Sequence, residues 1–223
     1  MDKHGANVTF DRGPSGGGDR FAAPSEMIRA DTADQVDAAF EAMQRAQSDG
    51  KWLAGYVSYE FGYLTSPKLE RLLPTDRALP LIHFGVFDAP QPSTPSAVDA
   101  SVALDPLQPQ WTADRYEEAF SAVHDYIGAG DIYQVNLTFP IATRSDASPD
   151  ALYAKLRERQ VVPHGALVNF GETALLSRSP ELFFSLTVTG KLTTRPMKGT
   201  APRGDTSAQD DLIRDALQSS EKN

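Results

Sequence analysis

The chain has 223 residues, of which 40% are hydrophobic and 23% are charged, and this composition excludes a disordered or fibrous protein. Its formal net charge of -9 at pH 7 argues against general nucleic-acid binding, and the absence of cysteine excludes disulfides, thiolate zinc sites and a cysteine nucleophile. No apolar run approaches the roughly 20 residues of a membrane helix and the first residues lack a secretory signal, so we expect a cytoplasmic globular protein.

The N-terminal part of the chain is predicted to combine strands with one amphipathic helix. The helix begins at Thr32, which forms a capping box with Gln35, and Gly50 ends it. Its apolar positions recur with helical spacing and are expected to face the core: Val36, Ala39, Phe40 and Met43. Alternating, aromatic or β-branched residues predict strands in three places: residues 7–10, 51–63 and 80–87.

The middle of the chain is predicted to contain a linker, a helix and a strand. Residues 89–110 are rich in proline and indicate a linker or surface excursion. A helix follows Thr112 and ends at Gly128 or Gly130. Its apolar face is formed by Tyr116, Ala119, Phe120, Val123 and Ile127. Residues 129–139 are then predicted to form a strand, whose polar face either lines a polar pocket or meets water.

The C-terminal third is predicted to form two helices and a group of short strands. Ser148 caps a helix that runs to about Arg159, and Thr206 caps the last helix. The buried face of that last helix is predicted to consist of Leu212, Ile213, Ala216 and Leu217. The strands are expected to form an antiparallel meander at residues 165–170, 173–177, 182–188 and 191–195. Strands that follow strands indicate an α+β fold with largely antiparallel sheets.

Residues 181–204 are locally cationic in an acidic chain. After Glu181 they contain no acidic residue and four basic ones: Lys191, Arg195, Lys198 and Arg203. Such a stretch suggests a site for a small anion. A lysine is nucleophilic only when its amine is neutral, and Arg195 and Arg203 could lower the pKa of Lys198. Glu181 could then act as general acid. A solvated lysine loop and a strand-end glutamate remain the plainer alternative.

Four motifs carry a resemblance to a known family. They are Gly-Tyr-Val-Ser-Tyr-Glu-Phe-Gly-Tyr (55–63), Ala-Gly-Asp-Ile-Tyr-Gln-Val-Asn-Leu-Thr (129–138), Ser-Pro-Glu-Leu-Phe-Phe (179–184) and Thr-Arg-Pro-Met-Lys-Gly-Thr-Ala-Pro-Arg-Gly (194–204). In this order they resemble the chorismate-utilising enzymes, and among these component I of aminodeoxychorismate synthase. Lys198 favours that branch, because anthranilate synthases, which are similar elsewhere, typically carry alanine at this position.

The resemblance implies the amination of chorismate to 4-amino-4-deoxychorismate, the precursor of p-aminobenzoate and folate. Lys198 matches the family lysine that attacks C2 of chorismate with loss of the C4 hydroxyl, and Glu181 matches the general acid/base. Ammonia then adds at C4 and expels the lysine. Gly199 and Thr200 would lie against the substrate. The resemblance also implies a glutamine amidotransferase partner that supplies ammonia and a magnesium ion, Mg²⁺, that holds the substrate carboxylate.

Some family members also bind tryptophan away from the active centre. The positions of this chain that match the tryptophan pocket are Arg20, Phe21, Pro163, His164 and Gly165. A family serine of that pocket is Asp11 here. This departure weakens the expectation that the chain binds tryptophan.

The family pattern continues after Lys-Asn with a magnesium-ligand glutamate and the rest of the chorismate pocket. We therefore expect residues 1–223 to be the N-terminal portion of a single chorismate-binding domain, with the metal ligands outside it and no turnover when it is alone. Two other interpretations remain open. One is anthranilate synthase-type activity, and the other is a non-catalytic module that binds an effector or an amidotransferase.

Overall fold

The computed structural model of the protein describes residues 5–93, 102–197 and 199–220. The chain divides into two units, one made of Met1–Ser96 and Leu156–Asn223 and the other of Ala97–Lys155. The strand pairs of the described residues are antiparallel, which confirms the predicted α+β class with antiparallel sheets. In the part of the chain that the structure describes, no helix is both long enough and apolar enough to cross a membrane.

The elements alternate between groups of strands and single helices. The strands are β1 (Asn7–Phe10), β2 (Asp19–Ala22), β3 (Glu26–Ala30), β4 (Trp52–Val57), β5 (Ile82–Phe87), β6 (Gln91–Pro92), β7 (Gln108–Pro109), β8 (Ile141–Ala142), β9 (His164–Asn169), β10 (Ala174–Ser179), β11 (Leu182–Leu186) and β12 (Leu192–Arg195). The α-helices are α1 (Val36–Ser48), α2 (Pro67–Glu70), α3 (Ala113–Ala129), α4 (Pro149–Arg159) and α5 (Ser207–Gln218). Two 3-10 helices cover Ala33–Gln35 and Tyr59–Thr65.

Two sheets form the core of the first unit. Their strand orders are β10-β9-β1-β2-β6 and β3-β5-β4. Val8 on β1 pairs with Phe21 on β2 and Val168 on β9, and these side chains form a buried cluster with Phe87 from the second sheet. Burial of one such side chain contributes roughly 1.5–3 kcal/mol, so this cluster holds the two sheets together. A second buried cluster packs α1 against the smaller sheet through Ile28, Ala30, Ala39, Ala46, Leu81, Ile82 and Val86.

The start of α1 has the capping box that the sequence predicts. Gln35 Oε1 accepts hydrogen bonds from the backbone N–H groups of Asp31 at 2.7 Å and Thr32 at 3.3 Å. The box caps a single 3-10 turn that leads directly into α1. Gly50 follows the helix with a φ of 72°, a left-handed conformation that favours glycine and ends the helix. These local signals therefore fix both ends of the helix as predicted.

The second unit contains α3 and the strand pair β7–β8. Thr112 Oγ1 caps α3 by accepting the N–H of Arg115 at 3.3 Å, and Gly130 ends the helix with a φ of 81°. Trp111 stacks on Phe139 with ring centroids 5.6 Å apart. This ring contact packs the segment that follows α3 against the residue that lies just before the helix.

The strand predicted at residues 129–139 is wrong. Ala129 is the last residue of α3, and residues 131–140 carry no strand. A strand needs a neighbour that satisfies its backbone N–H and C=O groups, and an alternating sequence does not provide one. Pairing with β7 begins only at Ile141, beyond the predicted range, where β8 has two residues.

The strand predicted at residues 51–63 is correct only as far as Val57. The chain enters a 3-10 helix after Ser58, and Tyr59 and Tyr63 then lie on neighbouring turns with ring centroids 6.4 Å apart. The aromatic residues of this segment therefore lie partly in β4 and partly in the 3-10 helix. Glu60 lies in the same turn and is partly exposed.

The predicted meander consists of two separate hairpins. β9 and β10 belong to the larger sheet, whereas β11 and β12 pair only with each other among the described residues. The buried face predicted for α5 is also wrong, because Leu212 is 71% exposed and no described residue of the helix is buried. The residues 89–110 predicted as a linker include β6 and β7, and residues 94–101 lie outside the described part.

Candidate active site

Glu181 lies just before the β11–β12 hairpin, and hydrogen bonds hold both its backbone and its carboxylate. Its N–H donates to Ser179 Oγ at 3.2 Å, and Ser179 Oγ donates to the carbonyl oxygen of Glu181 at 3.0 Å. Glu181 Oε1 accepts the backbone N–H of Met197 at 2.9 Å. The carboxylate is therefore fixed beside the residue that precedes Lys198 in the chain.

The register of the hairpin explains why Glu181 meets the segment after β12. Leu182 pairs with Arg195 and Leu186 pairs with Leu192, with a bulge between the two pairs. Gly190 turns the chain with a φ of 83°. As the sequence predicts, strands that pair around this turn bring the start of β11 and the end of β12 to the same end of the hairpin.

Lys198, the predicted nucleophile, lies outside the described residues. Gly199 and Thr200, the predicted substrate contacts, are both exposed. Gly199 has a φ of 66°, a left-handed conformation that other residues adopt at a cost. The segment around the predicted substrate contacts thus requires a glycine for its turn, and its exposure leaves it open to a ligand.

Arg203, which the sequence predicts as a neighbouring cation for Lys198, is ion-paired with Asp210, and its effect on Lys198 stays a prediction. Asp210 Oδ1 accepts hydrogen bonds from Arg203 Nε at 2.7 Å and from the N–H of Gly204 at 3.0 Å. The bond from Arg203 also holds the pKa of Asp210 below its usual value. The charge of Arg203 is thereby offset by a carboxylate of α5. Arg195 is exposed and remains a candidate cation.

The described residues do not fit a magnesium site. In residues 5–93, 102–197 and 199–220, no group of three or more histidine, aspartate or glutamate side chains is arranged to hold a metal ion. Carboxylate oxygens are the protein ligands that Mg²⁺ prefers.

Four of the five residues predicted for a tryptophan pocket lie on β2 and β9, the two strands that flank β1, and Pro163 directly precedes β9. Phe21 is buried on β2, and His164 and Gly165 begin β9, with β1 between them. Arg20 and Pro163 are exposed. The sheet thus groups these residues around β1, and their role stays a prediction.

Asp11, at the position of the family serine, is held by two arginines. Its N–H donates to the carbonyl oxygen of Gly165 at 2.9 Å, and its carboxylate pairs with Arg157 Nε at 3.0 Å and with the Arg178 guanidinium. The side chains of Asp11 and Arg178 are only 10% and 9% exposed. Our sequence reasoning missed this cluster because the two residues are 167 positions apart, and no local pattern marks such a pair.

The family model described as chorismate binding enzyme matches residues 7–223. The match includes the hairpin, Glu181 and the strands of the larger sheet. The chain therefore belongs to the chorismate-binding enzyme family.

Curated relatives of the chain carry two different names. The chain is 35% identical over 117 residues to an aminodeoxychorismate synthase of Streptomyces griseus, covering 52% of this chain and 16% of that protein. It is 36% identical over 117 residues to an anthranilate synthase component 1 of Thermus thermophilus, covering 52% of this chain and 25% of that protein. The specific reaction does not follow from these similarities.

A solved structure shares the fold. It is described as a 2,3-dihydroxybenzoate-specific isochorismate synthase from Bacillus anthracis, with a TM-score of 0.65 and 16% sequence identity. The superposition covers all of this chain and 56% of that chain. The chain therefore spans little more than half of this structural relative and a smaller share of the curated ones.

Proposed function

We propose that this chain carries the nucleophile and the general acid/base of an aminodeoxychorismate synthase reaction. The observation that supports the proposal best is the 2.9 Å hydrogen bond from the Met197 N–H to Glu181 Oε1. It fixes a carboxylate next to the peptide that leads into Lys198. A positioned acid beside an amine nucleophile is what the loss of a hydroxyl group from chorismate requires.

In the proposed reaction the Lys198 amine attacks C2 of chorismate and forms a C–N bond. Both ring double bonds shift, the bond from C4 to its hydroxyl group breaks, and Glu181 donates the proton with which that group leaves as water. Ammonia then attacks C4, both double bonds shift back, and the bond between C2 and the lysine nitrogen breaks. Glu181 accepts a proton in this second half, which restores the starting state and yields 4-amino-4-deoxychorismate.

The exposure of the hairpin supports the proposal that the chain acts as part of a larger domain. Phe183 and Phe184 on β11 are 85% and 55% exposed, and their rings contact each other with centroids 5.2 Å apart, so the described residues leave these apolar side chains largely uncovered. A two-stranded hairpin is at best marginally stable by itself, and among the described residues no third strand pairs with either of its edges. We infer that the polypeptide that completes the chorismate-binding fold packs here and closes the site over Glu181.

The remaining components of the reaction belong to the same proposal. A glutamine amidotransferase would supply the ammonia, and Mg²⁺, held by ligands other than the described residues, would bind the substrate carboxylate. Arg195, which is exposed at the end of β12, is available to contact an anionic substrate.

Product analysis tests the proposal. A protein that contains this chain together with the rest of a chorismate-binding domain is incubated with chorismate, magnesium and ammonium chloride. The proposal predicts 4-amino-4-deoxychorismate and its loss in Lys198→Ala. The similarity to an anthranilate synthase component 1 favours anthranilate as the second candidate product. Formation of anthranilate at an unchanged rate in Lys198→Ala would replace the proposal with that activity.

A non-catalytic binding module is the third possibility. It predicts no turnover of chorismate by the complete domain, together with intact binding of an amidotransferase. Measuring both quantities on the same preparation separates this outcome from a protein that is merely unfolded.

A further inference from the structure

The link between β10 and β11 joins the larger sheet to the hairpin of the candidate site. Ser179 is the last residue of β10, and Pro180 and Glu181 separate it from the start of β11. β10 pairs with β9 inside the five-stranded sheet, whereas β11 pairs only with β12 among the described residues. Strand pairing therefore does not fix Glu181 relative to the larger sheet, and its position depends on this short link.

The end of β10, where the link begins, is held by two kinds of contact. Ser179 pairs with His164 and Arg178 pairs with Gly165 in the β9–β10 register. The Arg178 side chain is 9% exposed and forms an ion pair with Asp11, the residue that follows β1. Because both the strand pairing and a largely buried ion pair hold this end of the strand, Ser179 is a fixed point in the sheet.

The link itself has little conformational freedom. The ring of Pro180 fixes its own φ at about −65° and restricts the preceding residue, Ser179, to extended conformations. The Ser179 hydroxyl then reaches across the proline, accepts the Glu181 N–H at 3.2 Å and donates to the Glu181 carbonyl oxygen at 3.0 Å. Both backbone polar groups of Glu181 are thus bound by the side chain of the last residue of the sheet.

We propose that Ser179 is a positioning residue for Glu181, a role that rests on the function proposed above for that carboxylate. The Ser179 hydroxyl holds the backbone of Glu181, and Glu181 Oε1 in turn accepts the Met197 N–H at 2.9 Å. These contacts connect the sheet to the residue that precedes Lys198. The single donor of the hydroxyl is used by the Glu181 carbonyl oxygen, so Ser179 acts through Glu181 rather than on the substrate.

A purely local role for Ser179 is the alternative. In that case the hydroxyl stabilises the turn, and its removal leaves the bond between Glu181 and Met197 as it is. The proposal predicts that this bond loosens when the hydroxyl is lost. It also predicts that urea unfolding changes little, because Ser179 and Glu181 belong to neither of the two buried clusters.

Hydrogen exchange of the Met197 amide, measured by NMR on the chain, tests the link without requiring turnover. Ser179→Ala removes both bonds to the Glu181 backbone, and we expect the Met197 amide to exchange about tenfold faster. Ser179→Thr keeps the hydroxyl and suits a strand end, so it should exchange at the wild-type rate. The control is Ser177→Ala, the same change at an exposed position of β10, and should have no effect.

Two outcomes of the exchange measurement would overturn the proposal. One is an unchanged Met197 exchange rate in Ser179→Ala, and the other is an equal acceleration in Ser177→Ala. Acceleration in Ser179→Thr as large as in Ser179→Ala would also exclude the hydroxyl as the group that holds Glu181.

Steady-state kinetics of the complete domain with chorismate, magnesium and ammonium chloride test whether this position matters for the reaction. A misplacement of about 1 Å can cost about 10²-fold in rate, so kcat of Ser179→Ala should fall about tenfold to hundredfold while KM stays near its wild-type value. Ser179→Thr should recover kcat, and Ser177→Ala should keep it. An unchanged kcat in Ser179→Ala, in a domain that forms 4-amino-4-deoxychorismate, would overturn the positioning role. A wild-type domain that forms none would instead contradict the proposed function, and the Met197 exchange rate would still decide whether Ser179 holds Glu181.

Discussion

The carboxylate of Glu181 accepts a 2.9 Å hydrogen bond from the backbone N–H of Met197, across the open end of the β11–β12 hairpin. This bond ties the two ends of the hairpin together by a side chain that is also the proposed acid/base. The same bond holds Glu181 Oε1 at Met197, the residue that precedes Lys198 in the chain. The Glu181 carboxylate therefore has two roles, because it links the two ends of the hairpin and is the proposed acid/base.

Replacing Glu181 by glutamine separates these two roles. The amide oxygen of glutamine still accepts the Met197 N–H, but the side chain can no longer exchange a proton. We expect turnover of chorismate by the complete domain to fall about 10²–10⁴-fold, the typical contribution of a general acid/base, with unchanged unfolding. Steady-state kinetics measure the loss, with Glu117→Gln as control. Full activity in Glu181→Gln would remove this residue from the mechanism.

The Asp11 cluster is predicted to be a stability element. Asp11→Asn removes the negative charge that pairs with the largely buried Arg178, and breaking such a pair costs about 3–5 kcal/mol. Asp88→Asn, which removes a carboxylate that is 84% exposed and pairs with Lys51, is the matched control and should change little. Urea unfolding measures both variants. Equal midpoints for the two would contradict the assignment.

His83 gives the stability of the chain a specific pH dependence. Its pKa in the folded protein is lowered by burial, so the unfolded chain binds the proton more readily. The free energy of unfolding is therefore at its full value above the ordinary pKa of about 6.5 and decreases as the pH falls below it.

Asp31 acts in a separate and lower pH window. The hydrogen bond from Arg29 lowers the pKa of Asp31. The contribution of Asp31 to the free energy of unfolding is therefore present above its usual pKa and is lost only as the pH falls further. Chemical unfolding between about pH 7 and pH 5 thus isolates the histidine. His83→Gln should flatten this slope, and His124→Gln, at an exposed position, should retain it. A slope unchanged by His83→Gln would show that another group titrates.

The exposed hairpin predicts two different costs for two phenylalanines. Phe183→Ser should change the free energy of unfolding of this chain by less than about 0.5 kcal/mol, because Phe183 is 85% exposed. Phe87→Ala, at 1% exposure, should cost about 3–5 kcal/mol. Urea unfolding of the chain measures both. Similar losses for the two variants would mean that the hairpin is covered in solution.

The same substitution tests the surface that we assign to the completing polypeptide. Phe183→Ser should weaken assembly of the chain with the rest of the domain, measured by size-exclusion chromatography of the mixed polypeptides. Leu72→Ser, which replaces a partly exposed leucine outside the hairpin, is the control. Assembly that is equally strong in both variants would place the contact elsewhere.

The elements that the sequence predicted best are those whose signals are local. The capping box of Thr32 and Gln35 and the left-handed Gly130 act within a few residues, so the ends of α1 and α3 could be read from the chain. The strand at residues 129–139 and the buried face of α5 depend on distant neighbours. Those neighbours are absent from the described residues, and the prediction failed there.

In the candidate site, too, features set by local sequence could be predicted, whereas the choice of a partner side chain could not. The hairpin turn at Gly190 and the positions of Glu181 and Gly199 could be predicted because they lie within one short segment. The pairing of Arg203 with Asp210 and that of Asp11 with Arg178 could not, since a charge pattern alone does not choose a partner. The choice of ion-pair partners is therefore one feature of the site that could not be predicted.

Mass spectrometry of the Lys198 peptide tests the central claim most directly. A protein that contains this chain and the rest of the domain is incubated with chorismate without ammonia, quenched and digested. The account predicts that Lys198 gains the mass of one chorismate less one water, that ammonium removes this addition, and that Lys198→Ala shows none. An unmodified Lys198 in a preparation that still converts chorismate to 4-amino-4-deoxychorismate would contradict the account.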